Sequence, residues 1–299
     1  MTDIIIIGAG TAGLSAAIYA LRAGKSVLLF EQLSYGGQIV NTPEIENYPG
    51  IKNISGFDFA TGLYEQAEAL GAKVEYAQVT SIEDGDLKKV TAGGKTYETK
   101  AIILATGAKN RPLGLEKETE LIGSGISYCA TCDGAFYKNR PVAVNGGGNT
   151  ALEDALFLSN YCSKVYLIHR RDEFRGEVKL VNRLKEKENV EFILNATVTA
   201  LLGDDMLTGI EVTDKISGDK KTVTVDGLFI AIGQIPENAA FAPLITLDPA
   251  GYITAGEDCK TNVKGIFVAG DCRTKTVRQL TTAAADGAVA ALAACAYIG

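Results

Sequence analysis

Ile4-Ile5-Ile6-Ile7-Gly8-Ala9-Gly10-Thr11-Ala12-Gly13 stands almost at the start of this chain of 299 residues. The apolar run 4–7 reads as a strand, and the glycines after it as a tight turn. Alanine-rich sequence with a helical pattern continues to about Leu21, a turn falls at Gly24, and a second apolar run covers 27–30. The order is strand, glycine turn, helix, strand. Further along it recurs: a strand at 141–145, the turn Gly146-Gly147-Gly148-Asn149-Thr150-Ala151, a helix at 152–158 and a strand at 165–168. Each unit has a closing strand ending in glycine, Ala101-Ile102-Ile103-Leu104-Ala105-Thr106-Gly107 in the first and Leu228-Phe229-Ile230-Ala231-Ile232-Gly233 in the second. The pattern predicts an α/β protein with two doubly wound, Rossmann-like nucleotide-binding domains.

A single such glycine motif is a weak signal, but here the context is right twice. The first glycine makes the turn and the second lets a pyrophosphate approach the backbone. A small residue at the third position lets the helix pack on the strand, and the helix N-terminus stabilises phosphate charge. The second strands end differently. The first ends in Glu31, whose carboxylate can accept hydrogen bonds from both ribose hydroxyls, which fits an adenosine without a 2′-phosphate, as in FAD or NAD. The second ends in His169-Arg170-Arg171, with Arg175 four residues on. A carboxylate would repel a 2′-phosphate, whereas arginines pair with it, so this site is expected to prefer NADPH to NADH. His169, the single histidine, is assigned to this site and given no proton-transfer role.

Composition narrows the partners. With 29 basic against 36 acidic residues the net charge is −7, which argues against a nucleic-acid binder. Residues 4–21 carry no charge, yet Gly8, Gly10 and Gly13 interrupt them and no basic segment precedes them, so neither a membrane span nor a signal core is expected and the location is read as cytoplasmic. Six cysteines in this length are too few for a disulfide scaffold.

Two of the six form Cys129-Ala130-Thr131-Cys132, followed by Asp133. Half of a zinc site is one reading, but zinc takes four ligands and Cys162, Cys259, Cys272 and Cys295 stand singly, so no metal is expected. So short a loop stabilises little as a structural bridge. A redox pair is the reading left, and it needs one thiol of lowered pKa, which a helix N-terminus could supply. On spacing alone Asp133 is either a proton donor and acceptor or a helix cap. The pair lies just before the second glycine turn and belongs to the second domain.

Taken together, these motifs resemble low-molecular-weight, bacterial-type thioredoxin reductases over nearly the whole sequence. The most specific are Ser127-Tyr128-Cys129-Ala130-Thr131-Cys132-Asp133-Gly134, the turn from Gly146 to Ala151, and His169-Arg170-Arg171 with Arg175. Gly36-Gly37-Gln38, Glu46-Asn47-Tyr48-Pro49-Gly50, Gly270-Asp271 and Arg278-Gln279 also match. The resemblance implies an FAD domain in two parts, 1–111 and 241–299, with an NADPH domain carrying the redox pair, 112–240, inserted between them. It implies that FAD is held by Gly8, Gly10, Thr11, Ala12, Gly13, Glu31, Gln32, Gly36, Gly37, Gln38, Asn47, Thr106, Gly107, Gly270, Asp271, Arg278 and Gln279. It places NADPH against Gly146, Gly148, Asn149, Thr150, Ala151, His169, Arg170, Arg171 and Arg175. Cys132 is then the thiol facing the flavin, Cys129 the one that attacks the partner's disulfide, and Asp133 the acid/base.

The implied activity is an NADPH-dependent flavoprotein disulfide reductase acting on thioredoxin, in a homodimer. A glutaredoxin-like or peroxiredoxin-type acceptor, or reduced ferredoxin as donor, are the alternatives. Because the flavin must meet both nicotinamide and cysteines, the resemblance also implies rotation of the NADPH domain about linkers near 109–112 and 233–236. Thr11 and Cys272 depart from the family's usual proline and aliphatic residue. Cys272 is either a small buried hydrophobe or a third redox-active thiol.

Overall fold

The computed structural model describes residues 1–42 and 44–299. The chain divides into two units, the first made of Met1–Lys109 with Ile235–Gly299 and the second of Asn110–Gln234.

The first unit begins with β1 (Thr2–Ile7), α1 (Thr11–Arg22) and β2 (Val27–Glu31), matching the strand–turn–helix–strand reading to within two residues. Then come α2 (Gly56–Ala69), β3 (Lys73–Tyr76), β4 (Val79–Glu83), β5 (Lys88–Ala92), the long β6 (Lys95–Leu104) and β7 (Ala108–Asn110). The sheet runs β3-β2-β1-β6-β5-β4. Its centre is parallel, and β1 registers Ile4 to Ile7 against Val27 to Phe30 on one side and Ala101 to Leu104 on the other. Successive strand residues point to opposite faces, so the four isoleucines split. Ile4 and Ile6 enter one core with α1, while Ile5 and Ile7 enter a second beneath Phe241, Ile245 and Ile253. All four are buried, each contributing about 1.5–3 kcal/mol relative to exposure.

The second unit contains β8 (Ile126–Ser127), α3 (Ala130–Asp133), β9 (Pro141–Asn145), α4 (Asn149–Leu158), β10 (Lys164–Ile168), α5 (Val178–Lys185) and β11 (Val190–Ile193). An antiparallel set, β12 (Ala196–Leu202), β13 (Gly209–Asp214) and β14 (Lys220–Val223), precedes the closing strand β15 (Gly227–Ile230). The parallel sheet runs β11-β10-β9-β15-β8. Alternation again divides the core, with Ala143 on one face and Val142 and Val144 on the other.

The chain then returns through β16 (Gln234–Pro236), which pairs with β7 as a two-stranded sheet, to β17 (Ile266–Val268) and α6 (Leu280–Ile298). β17 pairs in parallel with Ile102 to Leu104 of β6. α6 starts at Leu280 because Gln279 and Thr282 form a reciprocal capping box. It buries Ala283, Gly287, Ala290, Ala291 and Ala294. A side chain at Gly287 would meet the Ala12 carbonyl of α1 at 2.3 Å, so the small residues allow the two helices to touch. Among the described residues α6 is also the one helix long and apolar enough, by length and composition, to cross a membrane. Residues 4–21, the stretch that raised that question in the sequence, form β1, the turn and α1 inside the core. The α/β class with two Rossmann-like units is as the sequence predicts.

Candidate active site

In the second unit, β8 pairs with β15 through Ile126 and Ser127 and delivers the chain to Cys129, the N-cap of α3. Cys129 and Cys132 are joined in a disulfide, with their Cα atoms 5.3 Å apart. A helix of one turn has little macrodipole, so α3 does less for a thiolate here than the sequence reading expects. The hydrogen bonds around the pair are more substantial. Ser127 Oγ accepts the Cys129 N–H at 3.0 Å and lies 2.6 Å from Asp133 Oδ2, to which it donates. Burial pushes the Asp133 carboxyl above the ordinary carboxylate range, and the bond from Ser127 works against that rise.

Just past β8, Tyr128 donates its hydroxyl to Glu118 Oε1 at 2.8 Å. The buried Glu118 carboxylate also accepts the N–H groups of Leu113, Gly114 and Leu115, at 2.8, 2.7 and 3.2 Å. Burial, together with the bond to Glu118, pushes the Tyr128 phenol up. Tyr137, in the turn after α3, is pushed up to about 12 by burial and then by the charge of Asp133.

The two glycine turns are built alike. A Cβ at Gly8 would lie 2.3 Å from the Ala105 carbonyl, and one at Gly146 would lie 2.3 Å from the Ala231 carbonyl. In each unit the first glycine thus presses on the closing strand. In the first unit, Glu31 Oε2 accepts the Ala9 N–H and Oε1 the Leu33 N–H, both at 3.0 Å, holding the carboxylate beside the turn. The segment bearing Gly36 and Gly37 bonds the same turn through Gly36 N–H to Ala9 O at 2.8 Å. Gln38 donates to Ala108 O, Thr106 to Asn238 Oδ1 at 2.8 Å, and Asn47 to Gln279 Oε1 at 3.4 Å. Gly107 has a left-handed φ of 69°. Arg278 stacks on Tyr252, its guanidinium 4.2 Å from the ring centre, and bonds the Asp271 and Arg273 carbonyls. Among the described residues the buried Oδ1 of Asp271 has no hydrogen-bond partner, and burial pushes its carboxyl up. A buried acceptor without a donor calls for a hydroxyl or amide from a ligand. Glu31, the turn and this orphan acceptor fit FAD.

In the second unit, Arg175 N–H and Gly176 N–H both bond Gly147 O, at 2.7 and 3.2 Å, laying the arginine segment along the turn. Asn149 uses its side chain on Glu177, accepting the backbone N–H at 2.8 Å. His169 is buried behind the turn. A Cβ on Gly147 would fall 2.2 Å from its ring, and the ring stacks on Phe174 at 5.4 Å. Among the described residues its Nε2 has no partner, and burial, then the neighbouring arginines, hold its pKa down. Arg170, Arg171 and Arg175 are exposed, and among the described residues none is in a salt bridge. No steric block stands at Gly148, where a Cβ would meet nothing within 4 Å, ahead of Asn149, Thr150 and Ala151 in the first turn of α4. An open helix N-terminus flanked by unpaired arginines fits the phosphates of NADPH.

Sequence reading missed a buried ionic cluster in the first unit. Asp286 of α6 accepts Arg273 Nε and Nη2, at 2.8 and 2.9 Å, Lys275 Nζ at 3.0 Å and the Gly270 N–H at 2.9 Å. Its signal was available, since Asp286 is the single charged residue in 280–298. Asn238, which holds Thr106 and donates to the Gly251 and Cys272 carbonyls, carried no such signal. Cys272 is fully buried in an aliphatic core and burial pushes its thiol up, the environment of a small hydrophobe.

Two glycine turns, one edged by Glu31 and the other by arginines, and a disulfide with a carboxylic acid beside it define an oxidoreductase that moves electrons between a pyridine nucleotide and a disulfide. The chain belongs to the pyridine nucleotide-disulphide oxidoreductase family, whose pattern it matches over residues 2–287. It is 45% identical over 298 residues to the thioredoxin reductase of Listeria monocytogenes, covering 99% of this chain and 93% of that one. It is 42% identical to a bifunctional thioredoxin reductase/thioredoxin of Mycobacterium leprae, over 97% of this chain and 64% of the longer relative. A crystal structure of thioredoxin reductase from Streptococcus pyogenes superposes with a TM-score of 0.94 at 39% identity, over 99% of this chain and 98% of that one. The resemblance read from the motifs is borne out.

Proposed function

We propose that the chain is an NADPH-dependent thioredoxin reductase in which the first unit holds FAD, the second holds NADPH, and Cys129 and Cys132 pass electrons to the disulfide of thioredoxin. The observation that carries this reading is the Cys129–Cys132 disulfide, with Asp133 at its flank, in the same unit as the arginine-edged glycine turn. FAD, when bound, supplies the two-electron relay between nicotinamide and disulfide. In the reduced protein, the Cys129 sulfur attacks one sulfur of the partner's disulfide and expels the other as a thiolate. Cys132 then attacks the Cys129 sulfur, the enzyme disulfide re-forms and the partner's second sulfur leaves. Two thiol protons leave the enzyme and two arrive on the partner, and Asp133, held through Ser127 beside Cys129, is assigned to carry them.

Glu31, Asp271 and the first turn are assigned to FAD. Arg170, Arg171 and Arg175 are assigned to the 2′-phosphate, with His169 supporting the turn from behind. The cycle also calls for the second unit to turn about its two linking strands, and a disulfide engineered to lock it should abolish turnover with thioredoxin. A homodimer through the first unit is supported by the exposed Val289 and Leu292 of α6 and by the groove lined by Ile18, Tyr19, Leu63 and Ala288. A reducing cytoplasm suits a pair that must return to the dithiol.

The test is anaerobic. NADPH should bleach the flavin rapidly and NADH slowly, and oxidised thioredoxin should restore the colour. Bleaching without recovery points to another acceptor. No bleaching by either nucleotide overturns the assignment of the arginines and makes reduced ferredoxin the leading donor.

A further inference from the structure

The end of β8 and the residue after it present two adjacent side chains to two different anchors. Tyr128 is tied to Glu118, and Glu118 to three backbone N–H groups of 113–115. Ser127, 3% exposed, is tied to both ends of α3. It accepts from Cys129 N–H at the first end, and its hydroxyl donates to Asp133 Oδ2 at 2.6 Å at the last, a much shorter contact than its other acceptor, Cys129 O at 3.3 Å. Its own place is set by the register of Ile126 and Ser127 against Leu228 and Phe229 of β15. Among the described residues no other group hydrogen-bonds the Asp133 carboxylate.

We propose that Ser127 is a positioning residue for the dithiol reaction: its hydroxyl fixes the Asp133 carboxylate against the turn that holds Cys129 and Cys132, and keeps it ready to take a proton. This rests on Asp133 being the proton carrier. In the second half of the exchange the Cys132 thiol loses its proton as its sulfur bonds to Cys129. The Asp133 carboxylate accepts that proton and returns it to the departing thiolate of the partner. A hydrogen bond to the ionised form favours that form, so Ser127 opposes the upward push of burial. The charged and titratable groups gathered with Asp133 around Tyr137, in the turn after α3, are Arg140, Asp226 and Cys162. None of these donates to the Asp133 carboxylate.

The experiment follows reoxidation of the reduced holoenzyme by oxidised thioredoxin from pH 5 to 9, with Ser127→Ala, Ser127→Thr and Asp133→Asn beside the parent. A hydrogen bond to a charged acceptor is worth enough to move a titration by about one pH unit. The acid limb of the rate profile in Ser127→Ala should therefore move about one unit to higher pH, and Ser127→Thr, which keeps the hydroxyl, should restore it. A rate lowered equally at every pH, or an unmoved limb, overturns the proposal and leaves Ser127 as packing. Asp133→Asn separates the two ideas. It should flatten the limb and slow the exchange about 100-fold or more. If it does neither, the acid/base reading of Asp133 fails whatever Ser127 does. Should Ser127→Ala not fold, Ser127→Cys, with its weaker donor, must still displace the limb upward.

Discussion

Replacing Asp286 with alanine isolates the buried ionic cluster of the first unit. The Arg273 side chain is 2% exposed, that of Lys275 5% and that of Asp286 7%. Removing the carboxylate strands two cations away from water, with only the exposed Glu257 still reaching Arg273, at 3.2 Å. Breaking a buried ion pair from one side costs about 3–5 kcal/mol. For a unit of this size each kcal/mol moves the midpoint by about 2–4 °C, so melting should fall by about 6–20 °C. Gly270 N–H also loses its acceptor, and Gly270 precedes Asp271, so retention of FAD should weaken alongside. Burial alone would push Asp286 up, yet the bonds from Arg273 and Lys275 win and hold it below the ordinary carboxylate range. A group with a depressed folded pKa contributes its full stability above its unfolded pKa and loses it as pH falls through the folded one. The melting gap between parent and variant should therefore be widest at neutral pH and close below about pH 4. Thermal unfolding followed by circular dichroism and by flavin fluorescence reads both effects. A loss under 2 °C at pH 7 would refute the reasoning. A further check is Asp286→Leu with both Arg273→Met and Lys275→Met, which should recover much of the loss because replacing all three buried charged side chains with apolar ones leaves no stranded charge.

Arg171→Ala should lower kcat/KM for NADPH about 10-fold or more and leave that for NADH nearly unchanged, since a charge-assisted phosphate contact is what is lost; initial rates with each nucleotide decide it. Asp154 is pushed up to about 7 by burial and then by Glu153, so the folded state favours its protonated form and loses stability as pH rises from about 4 through 7. Asp154→Asn should then raise the melting temperature at pH 8 and change it little at pH 5. Glu118→Ala leaves three backbone N–H groups and the Tyr128 hydroxyl without their acceptor, and should destabilise the second unit by about 3 kcal/mol or more in a urea titration.

Both glycine turns were legible because each lies between an apolar run and a helical pattern, and the close approach of Gly8 and Gly146 to their closing strands is the physical reason for glycine there. The redox pair was legible from spacing. Less was readable where the signal is spread over distance. The chain over 51–100 and 176–226 carries α2, β3 to β5, α5 and β11 to β14 with no glycine motif to announce them. Asn238 acts on Thr106 and Cys272, partners that only folding brings near, and the bonds of Glu118, though close in sequence, follow no motif. Ser127 was within the quoted motif, but nothing in the sequence says that its hydroxyl reaches Asp133 rather than solvent.

The paired strands β7 and β16 have a consequence for how the protein is made. The second unit is one continuous stretch, so it can fold as soon as Gln234 has left the ribosome. The first unit cannot, because β17 must still pair with β6 and α6 must still pack on α1. The N-terminal half of its sheet is synthesised first and completed last. During that interval the outer edge of β6 at Ile102 to Leu104 and the alanine face of α1 stay uncovered. A nascent chain stalled near residue 240 is therefore the species most in need of a chaperone.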